Sequence, residues 1–295
     1  MKNIETIRRR VQGAEDLLSV VKTMKGLAAV NVRHFERAVE SLSEYSRTVE
    51  LGLQIVLSAQ EGGRVGGGRI SEDRRGVVIF GSDQGMCGQF NERIVDYALQ
   101  AQESDTDRIP AVSLLTVGSR VAALSLDAGQ EVEMILDAPG GVAGMEPLVQ
   151  ELLFHIEGWR NQDDIDQVLV YHNHPVGTAG YGQNSVQLLP VDLEWLRSLE
   201  RQRWPSRGLP TFTMEWDQLF AALIRQQMFV VLFRACAESL AAENAARVAA
   251  MQNAESNIED RLAELEWEYH RQRQNQIDAE LLDIVSGFDA VMNPA

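Results

Sequence analysis

The feature that most constrains this chain is a heptad repeat running through its first 58 residues without a proline. One row of positions reads Ile4, Val11, Leu18, Lys25, Val32, Val39, Ser46 and Leu53. The other reads Ile7, Ala14, Val21, Ala28, Phe35, Leu42, Val49 and Val56. Fourteen of these sixteen positions are apolar, and a period of seven kept over that length describes a coiled-coil seam rather than a helix lying flat on its own domain. A seam needs a second helix. The C-terminal region, free of proline until Pro294, offers one: Met251, Ala254, Ile258, Leu262, Leu265, Tyr269, Ile277, Leu281 and Ile284 recur at three- and four-residue steps among Glu, Arg and Gln. We expect one helix from about Trp216 to about Val285, stopped at Ser286-Gly287.

Length turns this pattern into geometry. At 1.5 Å per residue, helices over 3–58 and 216–285 would span roughly 84 Å and roughly 105 Å. A compact body of 295 residues has a radius of gyration of about 19 Å and a diameter of about 50 Å. Neither helix fits inside it, so the sequence predicts a rod attached to a globular part.

The middle of the chain has a different period. Gly76–Phe80 is a short apolar run with the character of a buried strand, followed by the glycine-containing stretch 81–88 and a helix over Glu92–Gln102. Further strands are expected at Val112–Val117, Glu131–Ile135, Gln167–Tyr171 and Val186–Pro190, and helices at Arg120–Ala128 and Glu146–Arg160. This alternation predicts an α/β layer on a largely parallel sheet. Five glycines within 58–75 and the Pro205, Gly208, Pro210 cluster mark two joints. The expected division is a helix over 1–58, an α/β domain over 75–200 and a helix over 212–290.

Charge excludes several roles. The chain carries 27 Lys+Arg against 43 Asp+Glu, a formal net charge of −16, and neutralising phosphates needs a cationic surface. Nucleic acid and anionic lipid are therefore not expected partners. The excess is local: residues 1–60 carry +2, 61–210 carry −10 and 211–295 carry −8. Arg8, Arg9 and Arg10 are followed by no apolar run, so no secretory signal is expected. The apolar window Leu219–Ala237 is interrupted by Arg225, Gln226, Gln227 and Arg234, and we expect it not to span a bilayer. Cys87 and Cys236 are the only cysteines, which suits a reducing compartment and excludes a disulfide scaffold.

Motifs for catalysis are weak. Gly81, Gly85 and Gly88 do not make G-x-G-x-x-G, and no G-K-[ST] follows to reach a phosphate; the glycines read as a tight strand-to-helix turn. His172-Asn173-His174-Pro175 resembles the H-x-H pair of metalloisopeptidases. The Ser and Asp that follow in that family are replaced by Gly182 and Ser185, so polar histidines in a loop after the strand are the expectation. Cys87, in a turn before a helix, could be stabilised as a thiolate, but no partner for it is evident. Lys25 sits on the seam, where a charge is costly unless it reaches solvent or a partner. Arg271 and Arg273 stand in an acidic stretch, as on a solvated helix face.

Three groups of residues carry a family resemblance. Asn244 to Ala254 (NAARVAAMQNA), Tyr269 to Ile277 (YHRQRQNQI) and Glu280 to Gly287 (ELLDIVSG) resemble the C-terminal helix of the F-type ATP synthase gamma subunit family. Ile7 to Val11 and Val21 to Ala29 (VKTMKGLAA) are similar to its first helix. Ser82 to Asn91 (SDQGMCGQFN) is similar to its central turn, and Gln187 to Pro190 to a later strand. The matches fall in the family's order at both ends and in the middle.

The resemblance implies an α/β fold in which the terminal helices form a long antiparallel coiled coil beside a central Rossmann-like α/β domain. It also implies a central-stalk rotor, working inside a ring of α and β subunits and meeting the epsilon subunit and the membrane c-ring. ATP is handled on β, so this chain is expected to be non-catalytic, to hold no cofactor or metal, and to meet the bacterial plasma membrane only peripherally, on its cytoplasmic face and through the complex. By the same match, Met24 and Lys25 face an acidic β-subunit loop, and Arg247, Arg273 and Gln274 stand at coupling and catch positions. Gly26, Asp278 and the acidic C-terminal helix depart from the usual pattern and imply a divergent branch. The coupling ion, proton or sodium, is not written in this chain. The reading from a different class is a nucleotide- or metal-dependent enzyme built on the α/β domain.

Overall fold

The computed structural model describes residues 4–59, 74–104, 111–177, 180–205, 208 and 210–292, with side chains to 285. The elements are α1 (Ile4–Ser58), β1 (Arg74–Phe80), α2 (Phe90–Ser104), β2 (Ala111–Val117), α3 (Ser119–Asp127), β3 (Val132–Leu136), a 3-10 turn (Val142–Gly144), α4 (Met145–Gln162), β4 (Gln167–Val176), β5 (Gly180–Leu189), α5 (Leu193–Arg201) and α6 (Trp216–Met292). The five glycines expected to form a linker lie outside the described residues. The chain divides into two compact units, one of Met1–Leu27 with Val248–Ala295 and one of Ala28–Arg247.

The smaller unit is a pair of helix segments from α1 and α6. Lys22 reaches Glu259, while Lys25 reaches Gln252 and Glu255. Rising numbers on α1 meet falling numbers on α6, so the pair is antiparallel. None of the sixteen heptad positions of α1 is exposed, as a seam requires.

The larger unit is built on one five-stranded sheet of order β3-β2-β1-β4-β5. β1 pairs in parallel with β2 and β4, and β2 with β3. β4 and β5 form an antiparallel hairpin. Alternate side chains of β1 serve opposite faces. Val77 and Ile79 join Ile94, Val95 and Ala98 of α2 and Val121 of α3. Val78 and Phe80 join Met145, Leu152, Leu153, Ile156 and Trp159 of α4 together with Met228, Leu232, Ala235 and Cys236 of α6. Within this unit α1 and α6 also run antiparallel: the Trp216 indole donates to the Val56 carbonyl at 2.9 Å, and the Tyr45 hydroxyl lies 2.6 Å from Gln226 Oε1.

Four sequence expectations are corrected. β4 runs on to Val176, so His172 and His174 lie on a strand, not in a loop; pairing with β5 satisfies the extra backbone groups. α5 was not foreseen, being nine residues beside a Pro-rich joint; the Asp192 carboxylate caps it by accepting the Glu194 N–H at 2.7 Å, and Leu196 and Leu199 are buried. α6 passes Ser286-Gly287 and continues to Met292, because glycine weakens a helix by only about 1 kcal/mol and no proline intervenes. Finally, α6 contains an 18-residue stretch of mean hydropathy 1.5, long and apolar enough by length and composition to cross a membrane. Its interruptions do not disqualify it on that measure; the sheet core that receives Met228, Leu232, Ala235 and Cys236 is what uses its apolarity.

Candidate partner-binding surfaces

Lys25 is the charged member of the seam, and the structure gives it an internal partner. Its Nζ donates to Gln252 Oε1 at 3.0 Å and ion-pairs with Glu255. Lys22 Nζ lies 3.0 Å from Glu259 and 3.7 Å from Glu255. The hydrogen bond from Lys25 holds the Glu255 carboxyl below its ordinary range, and the bond to Glu259 holds the Lys22 ammonium above its own. Met24 is half-buried beside them. It belongs to a second apolar stripe on α1 made by Leu17, Val20, Met24 and Leu27, of which Leu17, Val20 and Leu27 are more than half exposed. The 3-4-3 spacing puts these four on one face, away from the seam.

On α6 the same unit exposes Arg273 and Gln274. Two residues before Arg273, the Arg271 guanidinium stacks over the Trp267 ring at 5.3 Å from its centre. Ile277, Leu281, Leu282, Ile284 and Val285 are exposed, an apolar display that soluble helices seldom leave uncovered.

Arg247, the remaining residue of the family match, pairs within the chain. It is 9% exposed and makes a 2.6 Å ion pair with Glu243, one helical turn before it. Its Nη2 also lies 3.5 Å from the carbonyls of Gln84 and Gly85. Burial pushes the Glu243 carboxyl up, against the pull of Arg247. Around this pair Ala242 and Ala246 of α6 pack on Cys87 and Phe90. Glu243 is the residue that sequence reasoning missed, although its i,i+4 spacing to Arg247 was visible.

The same turn bears on the nucleotide reading. In a sheet of this order an anionic ligand would sit beyond the strand ends, against helix N-termini. Here the Asp83 carboxylate occupies that position at α3, accepting the N–H of Ser119 at 2.8 Å and of Ala138 at 2.8 Å. Asn91 fixes the turn by accepting the Ser82 N–H at 3.0 Å. Gly81 and Gly118 permit the close approach: a Cβ on Gly81 would meet Val121 Cγ2 at 1.9 Å, and Gly118, at φ +105°, lies against the Ser82 backbone. Cys87 is buried, and burial pushes its thiol up, so it is not an activated thiolate. His172 Nε2 pairs with Glu238 at 2.9 Å, and among the described residues no three His, Cys, Asp or Glu side chains gather as a metal set.

Comparison with known proteins agrees with this architecture. A family model described as ATP synthase matches residues 3–291. The ATP synthase gamma chain of Prosthecochloris aestuarii is 27% identical, over 99% of this chain and 99% of that one. That of Phocaeicola vulgatus is 28% identical, over 97% and 99%. Among solved structures, a chain of the Euglena gracilis mitochondrial ATP synthase rotor superimposes with a TM-score of 0.64 at 17% identity, over 93% of this chain and 98% of that one. A chain of the Tetrahymena thermophila mitochondrial ATP synthase central stalk and c-ring gives 0.56 at 20% identity, over 80% and 99%. With helices, central sheet and sequence matching from one end to the other, this chain belongs to the ATP synthase gamma-chain family.

Proposed function

We propose that this chain is the central-stalk rotor of an F-type ATP synthase, turning inside a ring of α and β subunits so that ion flow through the membrane sector and ATP chemistry on β are coupled. The observation that carries this reading is the full-length family match on a chain whose two long helices pair antiparallel. A torque-bearing element must resist twisting, and a helix pair with a continuous buried seam does so better than a single helix. The Asp83 carboxylate already occupies the N-terminus of α3, so the enzyme alternative has no free anion cradle at that helix end.

The finer assignments follow from exposure. The Leu17, Val20, Met24, Leu27 stripe and the apolar end of α6 are the surfaces offered to the ring. Lys25, 29% exposed at its side chain, stands beside the stripe as the cation for an acidic β loop. Arg273 and Gln274, both exposed, make the catch contact with a β loop in one rotor orientation and release it in the next. Arg247 acts inside the chain, fastening α6 to the turn at Gln84 and Gly85. The sheet unit meets the epsilon subunit and the c-ring, and the chain works at the cytoplasmic face of a bacterial plasma membrane. The ion, proton or sodium, is selected by the c-ring.

The test is made in the assembled complex. A cysteine at position 273 cross-linked to β is expected to halt repeated ATP turnover, with activity restored on reduction; continued turnover in the cross-linked complex overturns the rotor reading. Arg273→Ala with Gln274→Ala is expected to lower both ATPase and ion pumping; wild-type rates for both overturn the catch contact.

A further inference from the structure

A cleft of about 450 Å³ in the larger unit opens between α4, β5 and the start of α6 and takes no part in the rotor reading. Clefts on the order of 300–1,000 Å³ hold small ligands. The floor of this one is apolar: Ile156, Leu189 and Met228, all buried. Phe220 and Ile224 make a half-buried wall, and the exposed Ala221 and Ala222 beside them are too small to close the mouth. The Phe220 ring is held by stacking on Trp216, with centres 4.9 Å apart, so the wall is pre-formed. The most apolar stretch of α6 is only 28% buried by the chain itself. Apolar surface that is concave, fixed and left uncovered is the ground for an apolar ligand.

The rim gives that ligand a charged end. Arg160, in the last turn of α4, and Arg225 of α6 set two cations against the single carboxylate of Glu157. That carboxylate is already engaged, accepting from Arg225 Nε at 2.6 Å. The bond uses one of the five donors of the Arg225 guanidinium. Arg160 makes no hydrogen bond or ion pair among the described residues, and Asn161 adds an amide next to it. An uncommitted guanidinium at the edge of an apolar floor complements a carboxylate carried on an apolar chain.

We propose that this cleft binds a free medium-chain alkyl carboxylate, its chain on Ile156, Leu189 and Met228 and its head on Arg160. The full chain is titrated calorimetrically with sodium octanoate, with n-octanol as the uncharged control and octyltrimethylammonium as the cationic one. Octanoate is expected to bind and to move the methyl resonances of Met228 and Ile224. Both controls are expected to bind about tenfold more weakly or worse, for want of a charge-assisted bond to Arg160. Arg160→Gln is expected to weaken octanoate about tenfold, and Arg160→Lys to lose less. Ala222→Phe, which fills the mouth from an exposed position, is expected to abolish binding. If circular dichroism shows that variant unfolded, Ala221→Phe replaces it with the same expectation. Dihexanoyl phosphatidylglycerol, an anion with two chains, is expected to bind more weakly than octanoate. No binding of octanoate, equal binding of either control, or unchanged affinity in Arg160→Gln or the mouth-filling variant overturns the proposal. Tighter binding of the two-chain lipid overturns the free acid as occupant.

Discussion

The carboxylate of Asp83 stands 2.8 Å from the backbone N–H of Ser119, at the start of α3, and 2.8 Å from that of Ala138. One side chain thereby closes a helix end and ties the loop after β3 to the turn after β1. Asp83→Ala is expected to lower stability by about 2 kcal/mol, the size of a lost helix cap together with a charge-assisted hydrogen bond. Asp83→Asn, which keeps one acceptor, should lose less. Urea unfolding of the three chains measures the difference.

The Lys25–Glu255 pair makes the smaller unit sensitive to acid. Glu255 titrates below its unfolded value of about 4.3, so its contribution is complete above that value and is lost as pH falls through the lower folded one. Lys22 has the opposite sense: raised in the fold, it contributes below about 10.4 and is lost as pH rises beyond. The unfolding free energy from urea titrations should fall more steeply on acidification in the parent than in the Glu255→Gln chain, the two converging at low pH. Identical profiles would remove Glu255 from the account.

Glu243 and Arg247 are 9% and 11% exposed at their side chains. Removing one member of such a pair strands the other charge, so Glu243→Ala should destabilise by about 3–5 kcal/mol. Glu243→Leu with Arg247→Met should cost clearly less, because no buried charge remains. Calorimetric melting of both variants decides it; equal losses would mean that packing, not charge, dominates there.

Gly81 has no room for a side chain, since its Cβ would fall 1.9 Å from Val121 Cγ2 and 2.6 Å from Val121 Cβ. Gly81→Ala is expected to cost about 1–3 kcal/mol by overpacking. Adding Val121→Ala removes the nearer methyl, so the double variant should lose less than the two single losses combined. Additive losses in a denaturation cycle would contradict this contact.

Much of the molecule was legible from periodicity because periodicity is local. The heptad of α1 assigned every seam position, and none is exposed. Short segments located five strands, and β1 and β2 show why: a strand buried over consecutive residues must be apolar along its run. The hairpin end of β4 was missed because His172, Asn173 and His174 are polar; His172 and Asn173 are accommodated there by partners in other elements, Glu238 for His172, and the Phe90 carbonyl and Gln183 for Asn173. Arg247 was singled out by its neighbours in sequence, yet its burial depends on Gln84 and Gly85, more than 160 residues away.

The sequence by itself determined that two long helices flank an α/β layer, and it carried the family signature at both ends. Only the tertiary structure decided what those elements spend their side chains on. It turned the most apolar stretch of α6 onto the sheet, took Arg247 into an internal pair, and filled a helix terminus with Asp83. The reason is physical: the spacing of apolar residues fixes which face of an element is buried, whereas the partner of a charge or a backbone N–H is fixed by whichever distant residue folding brings within 3 Å or so of it.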